Sequence, residues 1–386
     1  MTGTAARNAT TESVAAICDR VRDAAARRLQ LRVVGSGTWL DAGRPAVQAE
    51  SISTRDTSGI LSYVPGDLTM TAGAGTTLAE VRDATAEHGQ WLALDPYGSD
   101  DGTLGATLAT ASCGPLATAF GTPRDLALGF EFVTGKGVIA RGGGRVVKNV
   151  AGFDLTRLFI GSWGTLGVIT EVTLRLHAKP PCDETFAIAL HDKADVARAR
   201  EVLRAAPFIP YACEIVNGPL ARQLVGRDEL TALFRLGGND ESLLAQRSTL
   251  ATLGDVSAAD SSIWTKLRQC EPAGALVFRL SNLPSEVGRT WNEANAIADS
   301  CTGTLIHCAP SRGVVRCIVP ATDTNVAWLN RAFRSPMVST RIGERLPPEL
   351  WPAISPPPTA DALSAGIKRT FDPQRILNVG IRGESA

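Results

Sequence analysis

Histidine is scarce in this chain. His88, His177, His191 and His307 are the only four, and no two stand at i, i+2 or i, i+4 spacing. Paired histidines on one strand or helix face, the usual start of a zinc or iron site, are therefore missing, and no metal site is expected. The eight cysteines, Cys18, Cys113, Cys182, Cys213, Cys270, Cys301, Cys308 and Cys317, contain no C-x-x-C pair. That argues against an iron–sulfur cluster or structural zinc held by this chain. Reduced thiols are the expectation, with Cys301, Cys308 and Cys317 read as small buried hydrophobes. Excess charge is also missing, because Lys+Arg and Asp+Glu each number 39. A balanced chain offers no basic footprint for nucleic acid and no general attraction to an anionic membrane. No apolar run reaches the ~18–20 residues that span a bilayer. Met1 to Thr10 is polar and has no signal-peptide core, so a cytoplasmic protein is expected.

What the chain has is glycine. There are 37, clustered between Gly35 and Gly167, with a change of composition after about Pro181. At 386 residues the chain is too long for one small core, and two domains are expected. Val14, Ile17, Val21 and Ala25 give helical spacing over Glu12 to Leu29. Leu31 to Val34 and Leu68 to Ala72 read as short strands, each ended by glycines. Thr77 to Glu80 is a capping box that opens a helix stopped near Gly89, with His88 at its end. Strand patterns follow over Asp125 to Val133, Gly137 to Val147 and Glu171 to Leu176, and Asp154 caps a short helix over Leu155 to Ile160. Lys179-Pro180-Pro181 marks a boundary. Beyond it a helix (Ala194 to Ala205) mixes with strands (Glu184 to Leu190, Ala275 to Leu280, Gly313 to Val319), an α+β pattern. Prolines from Pro347 to Pro358 form a second connector before a last helix, Ala360 to Phe371.

The glycines have a chemical reading. A buried pyrophosphate needs many donors at close range, and backbone N–H groups in tight turns supply them where no Cβ blocks the approach. Three segments have this character: Val34-Gly35-Ser36-Gly37-Thr38, Gly102-Thr103-Leu104-Gly105-Ala106, and Gly161 to Gly167. None is a Rossmann fingerprint, since Leu40 stands where the third glycine belongs. No P-loop is present, because Gly135-Lys136-Gly137 lacks both the upstream glycine and the Ser/Thr. Any one loop alone reads as an ordinary turn.

The order of the motifs resembles the FAD-linked oxidase family, whose flavin domain is named after p-cresol methylhydroxylase (PCMH) and vanillyl-alcohol oxidase. Within it the chain is most similar to the FAD-binding subunit of bacterial glycolate oxidase (glycolate dehydrogenase). The matching residues are Gly102 to Gly105, Gly121-Thr122-Pro123-Arg124-Asp125, Gly143 to Asp154 with its V-K-N-V-A-G-F-D run, Gly161 to Glu171, and Phe371 to Asn378. Nearly the whole chain is covered, though roughly 183 to 345 matches only in length and position. The resemblance implies an α+β architecture: a two-subdomain PCMH-type FAD-binding domain (1–180), an α+β cap domain with an antiparallel sheet (181–345), and a C-terminal segment (346–386) that returns to the first domain. It implies FAD contacts from Val34, Gly35, Ser36, Gly37, Thr38 and Trp39. A second loop contributes Pro96, Gly102, Thr103, Leu104, Gly105, Ala106, Ala109, Thr110 and Gly114. Gly164, Val168, Ile169 and Thr170 lie along the cofactor, and Asn378 near the isoalloxazine ring.

Relatives that attach FAD covalently use a His in the first loop. Here it reads Gly37-Thr38-Trp39, and Cys113 near the second loop has no such His to pair with, so a non-covalent FAD is expected. Val379 replaces the usual proline after Asn378. Arg124-Asp125 reads at least as well as a structural ion pair, Asp154 as a helix cap and Trp163 as core. For Lys148-Asn149 the resemblance implies a role near the flavin or a partner interface, with a hydrogen-bonded turn as the alternative. The catalytic relatives carry His-rich metal motifs that this chain lacks, and no catalytic residue is identified. The resemblance then implies a flavin-carrying subunit beside a second flavin-containing oxidase subunit and an iron–sulfur subunit. Together these act on a small 2-hydroxyacid, with peripheral membrane attachment of the complex left open. A stand-alone FAD-dependent 2-hydroxyacid dehydrogenase and a flavin-free scaffold are the alternatives.

Overall fold

The structure, a computed structural model, describes residues 2–45, 49–144, 154–335, 337–356 and 361–383. Lys148-Asn149 and most of the V-K-N-V-A-G-F-D run lie outside the described residues. The chain divides into two compact units. The first is Met1–Gly114, Phe120–Lys179 and Pro357–Ala386; the second is Pro115–Ala119 and Pro180–Pro356.

In the first unit the helix Thr2–Arg27 buries Val14, Ile17, Cys18, Val21 and Ala24, a single face at 3.6-residue spacing. Arg28 takes φ 54° and breaks it. Strand β1 (Leu31–Val34) follows and pairs in parallel with β2 (Glu50–Ser53). The remaining strands of this unit are β3 (Ile60–Val64), β4 (Thr69–Gly73), β5 (Gln90–Trp91), β6 (Ala127–Thr134), β7 (Ile139–Gly143), β8 (Gly167–Arg175) and β9 (His177–Ala178). β3-β4-β8-β6-β7 form an antiparallel five-stranded sheet, and β5 pairs with β9. Phe132 of β6 lies against Phe159 with ring centroids 3.9 Å apart, and both are fully buried. Each such ring contributes roughly 1.5–3 kcal/mol by leaving water. Two helices position the cleft described below. Leu78–Ala86 opens with a full Thr77/Glu80 capping box. Leu104–Thr110 is capped by Thr103 and ends at Ala111 with φ 54°.

The pattern over Asp125 to Val133 suggests a strand throughout. Instead Pro123–Leu126 forms one helical turn before β6. The reason is local: the Asp125 carboxylate accepts from the Thr122 N–H at 2.8 Å and from its hydroxyl at 2.9 Å. Asp125 thus has a capping role rather than an ion pair with Arg124. Asp154 does cap the helix Leu155–Phe159, by accepting from the Arg157 N–H.

The second unit carries β10 (Cys182–Ala189), β11 (Ala212–Val216), β12 (Thr231–Gly238), β13 (Val256–Ala259), β14 (Leu276–Ser281), β15 (Leu305–Ala309), β16 (Val314–Val319) and β17 (Thr340–Arg345). They form one eight-stranded sheet in the order β13-β10-β12-β11-β15-β16-β14-β17. One face packs Phe234, Phe278 and Cys308 with Trp291 and Ile297 of the helix Val287–Ser300. The other packs Leu233, Val277 and Ile318 with Trp264 and Leu267. Cys301, Cys308 and Cys317 are all buried in the first of these cores. His307, Arg316 and Arg279 stand opposite one another across β15, β16 and β14. Carboxylates answer them: Glu214 meets His307 at 2.9 Å, Arg316 pairs with both Glu271 and Glu344, and Arg279 meets Glu344 at 2.6 Å.

Burial alone would raise the Glu344 carboxyl, but the Arg316 and Arg279 charges outweigh it and hold it below the usual carboxylate range. A folded-state pKa below the unfolded value of ~4.3 contributes stability above that pH, and the contribution is lost as pH falls through the lower value. Glu344→Gln is therefore expected to lower stability at pH 7 by about 3–5 kcal/mol, since it leaves buried guanidinium charge uncompensated. It should also flatten the acid limb of a Tm-against-pH curve below about pH 4. An unchanged Tm at pH 7 would contradict the pairing.

Candidate functional site

The glycine-rich loop after β1 and the start of the helix Leu104–Thr110 are built to touch. A Cβ on Gly35 would overlap the Thr103 hydroxyl, so only glycine lets the two loops meet there. The Ser36 hydroxyl donates to the Asp101 carbonyl at 2.6 Å, and the Trp39 indole N–H to the Tyr97 carbonyl at 3.1 Å. A third wall comes from the turn before β8, where Trp163 takes φ 55° and Gly164 φ 67°. A Cβ on Gly164 would lie 2.7 Å from the Asn378 side-chain nitrogen.

The far end of the chain closes this wall. The Leu31 N–H donates to the Ile376 carbonyl at 2.7 Å, and the Asn378 N–H to the Leu31 carbonyl at 2.9 Å. The Asn378 side chain then bridges two elements: its Oδ1 accepts from the Val33 N–H at 2.8 Å, and its Nδ2 donates to the Trp163 carbonyl at 2.6 Å. Asp372, fully buried, holds the turn that delivers Asn378. It accepts from the N–H groups of Ile376 and Leu377 and from Lys368, whose ammonium also reaches the Thr165 carbonyl at 2.7 Å.

Together these elements line a cleft open to solvent on one side. Val34, Gly35, Ser36, Gly37, Thr38, Trp39, Gly105, Ala106, Ala109, Thr110, Gly164, Ile169 and Asn378 line it. A smaller recess shares Thr38, Trp39, Ala106 and Thr110 with it and adds Pro96 and Gly102. Thr103, Leu104, Val168 and Thr170 line neither; all four are fully buried, and they support the walls from behind. Gly114 packs against Asp95 rather than on either cavity.

The cleft also has walls that motif reading passes over. Arg32, Leu40, Thr54, Trp163, Gly167 and Ile381 line the larger cavity; Tyr97, Ser99, Thr107 and Ser112 line the smaller. Trp163, read from sequence as core, is instead a wall of the cleft. A signal for Arg32 was present: a charged residue at an alternate position of a strand that runs straight into G-x-G.

The electrostatics of the cleft are one-sided. Among the described residues, none accepts a hydrogen bond from the backbone N–H of Gly35, Ser36, Gly37 or Thr38. Arg32 is the one charged side chain among the described lining residues, and its Nη1 is buried without a partner. Consecutive free N–H groups and an unpaired cation make a cavity that favours an anion.

Residues 5–143 match the family model described as a FAD binding domain. These residues carry a FAD binding domain, and FAD is the chain's cofactor. The chain is 38% identical over 167 residues to glycolate oxidase subunit GlcE of Escherichia coli, which covers 43% of this chain and 47% of that protein. It is 35% identical over 188 residues to glycolate oxidase subunit GlcD of Bacillus subtilis, covering 48% and 40%. The chain thus spans less than half the length of these curated relatives. Among solved structures, 4-ethylphenol oxidase from Gulosibacter chungangensis superposes with a TM-score of 0.72 at 15% identity, over 96% of this chain and 87% of that one. That likeness establishes a shared α+β fold of PCMH type. No described helix is long and apolar enough to cross a membrane.

The lining fits FAD. Its free N–H groups and Arg32 suit a diphosphate, while Leu40, Trp163, Ile169 and Ile381 offer apolar surface to the rings. Removing the Asn378 clamp tests the wall. Asn378→Ala leaves the Val33 N–H and the Trp163 carbonyl without partners, so a loss of about 2–4 kcal/mol in unfolding free energy is expected, together with weaker FAD binding. Asn378→Asp keeps the acceptor and should lie between. Wild-type stability in Asn378→Ala would contradict the clamp.

Proposed function

We propose that this chain is the FAD-binding subunit of a 2-hydroxyacid dehydrogenase complex of the glycolate-oxidising kind. One observation carries the reading most directly. The 38% identity is to a protein named as a subunit of glycolate oxidase, and the chain pairs that likeness with a cleft lined by anion-seeking backbone and an unpaired cation.

In this reading the N–H groups of Gly35 to Thr38 hold the cofactor's diphosphate, and the close Gly35–Thr103 contact fixes the distance between the two loops. Trp163, Gly164 and Asn378 form the opposite wall, with Asn378 acting as a positioning residue through the backbone of Val33 and Trp163. Bound there, FAD would supply a carrier for the two electrons released when a 2-hydroxyacid is oxidised to a 2-oxoacid elsewhere in the complex. Attachment is non-covalent: neither cavity has a His or Cys among its described lining residues. The second flavin-containing oxidase subunit and an iron–sulfur subunit complete the complex, the one to oxidise substrate and the other to take electrons onward.

The test uses the full chain alone and co-expressed with its neighbouring-gene partners. Alone it should purify yellow, and acid should release all of its flavin into the supernatant. Glycolate or lactate should bleach the flavin only in the co-expressed complex. A colourless chain that takes up no added FAD would overturn the reading. Bleaching by substrate without partners would replace the subunit with a stand-alone enzyme.

A further inference from the structure

We propose that Arg32 is the counter-cation of the FAD diphosphate, an ionic contact that the glycine loop alone does not provide. The inference rests on the FAD reading of the cleft and deepens it. Arg32 sits in β1, three residues before Gly35, so its Cα lies within ~10 Å of the loop along an extended strand. Its side chain lines the same cavity as the free N–H groups of residues 35–38.

Arg32 differs from the paired arginines of the second unit in having no carboxylate partner among the described residues. Arg316 is tied to Glu271 and Glu344, and Arg345 to Glu271. Arg32 has one marginal contact, Nη2 to the Ala42 carbonyl at 3.5 Å, and its Nη1 is buried with no partner among the described residues. Burial pushes its pKa below the ordinary arginine value, and among the described residues no opposing charge restores it. Neither cavity has an acidic residue among its described lining, so nothing in the cleft wall neutralises the guanidinium. Arginine stays protonated at any working pH, so a charge held this way is uncompensated until an anion arrives. Of the parts of FAD, only the diphosphate is anionic, and a guanidinium fork matches phosphate oxygens in pairs.

Arg32→Gln and Arg32→Lys separate this from a structural role. FAD affinity is read by flavin fluorescence quenching, competition by ADP and by adenosine, and stability by thermal unfolding of the apo-protein. Arg32→Gln should weaken FAD and ADP by on the order of ten- to a hundred-fold and leave adenosine unchanged. Its apo-protein should unfold at the wild-type temperature or above, because an uncompensated charge has gone. Arg32→Lys should recover part of the affinity. Equal losses for ADP and adenosine would place Arg32 on the adenine or ribose and overturn the assignment. A lower apo-protein Tm that tracks the lost FAD affinity would make Arg32 structural, and unchanged FAD affinity in Arg32→Gln would leave it without a role. Wild-type protein that binds no FAD would remove the cofactor reading and this one with it.

Discussion

The cleft depends on one side chain near the end of the chain. Asn378 accepts from Val33 and donates to Trp163, residues far from it in sequence, and its own N–H extends the hydrogen bonding of β1. That bridge ties the wall formed by Trp163 and Gly164 to the strand that leads into the glycine loop. Asp372 and Lys368 serve the same end. They satisfy the backbone of the turn that delivers Asn378 at φ 45°, a conformation asparagine tolerates better than most residues. The C-terminal signature is thus a lock on this cleft, and its polar residues act through backbone groups.

Two clusters, one in each unit, treat buried charge in opposite ways. In the second, each guanidinium on the β16–β14 row has a carboxylate, and the cost of burial is met inside the protein. In the first, Arg32 and four N–H groups are left open toward a cavity. An internally paired cluster stabilises a fold. An open one reserves its stabilisation for a ligand, and the protein gains stability when the ligand binds. This contrast separates site from scaffold on physical grounds, without reference to any relative.

Much of the first unit was legible in the sequence because its signals are local. The Thr77/Glu80 box, the Asp154 cap and the strand β1 ending in Gly35 all stand where short-range rules put them. The helical turn at Pro123–Leu126 escaped because the Thr122–Asp125 cap overrode an alternating pattern. Long-range facts were harder. That Thr103 lies behind the cleft wall depends on its packing against Gly35, and that Trp163 lines the cleft depends on a turn held by Asn378. Arg32 was missed because motif reading begins at the first glycine, whereas its significance lies in having no carboxylate partner among the described residues, a property only the folded chain displays. In the second unit the strands were partly legible, but the ionic row across β15, β16 and β14 depends on register between strands distant in sequence.

The most direct test of the account is a structure of the full chain determined with FAD bound. The account predicts the diphosphate within hydrogen-bonding distance of the N–H groups of Gly35 to Thr38 and of Arg32, with the Asn378 bridge intact. FAD lying outside this cleft, or a diphosphate contacted by neither the loop nor Arg32, would contradict it.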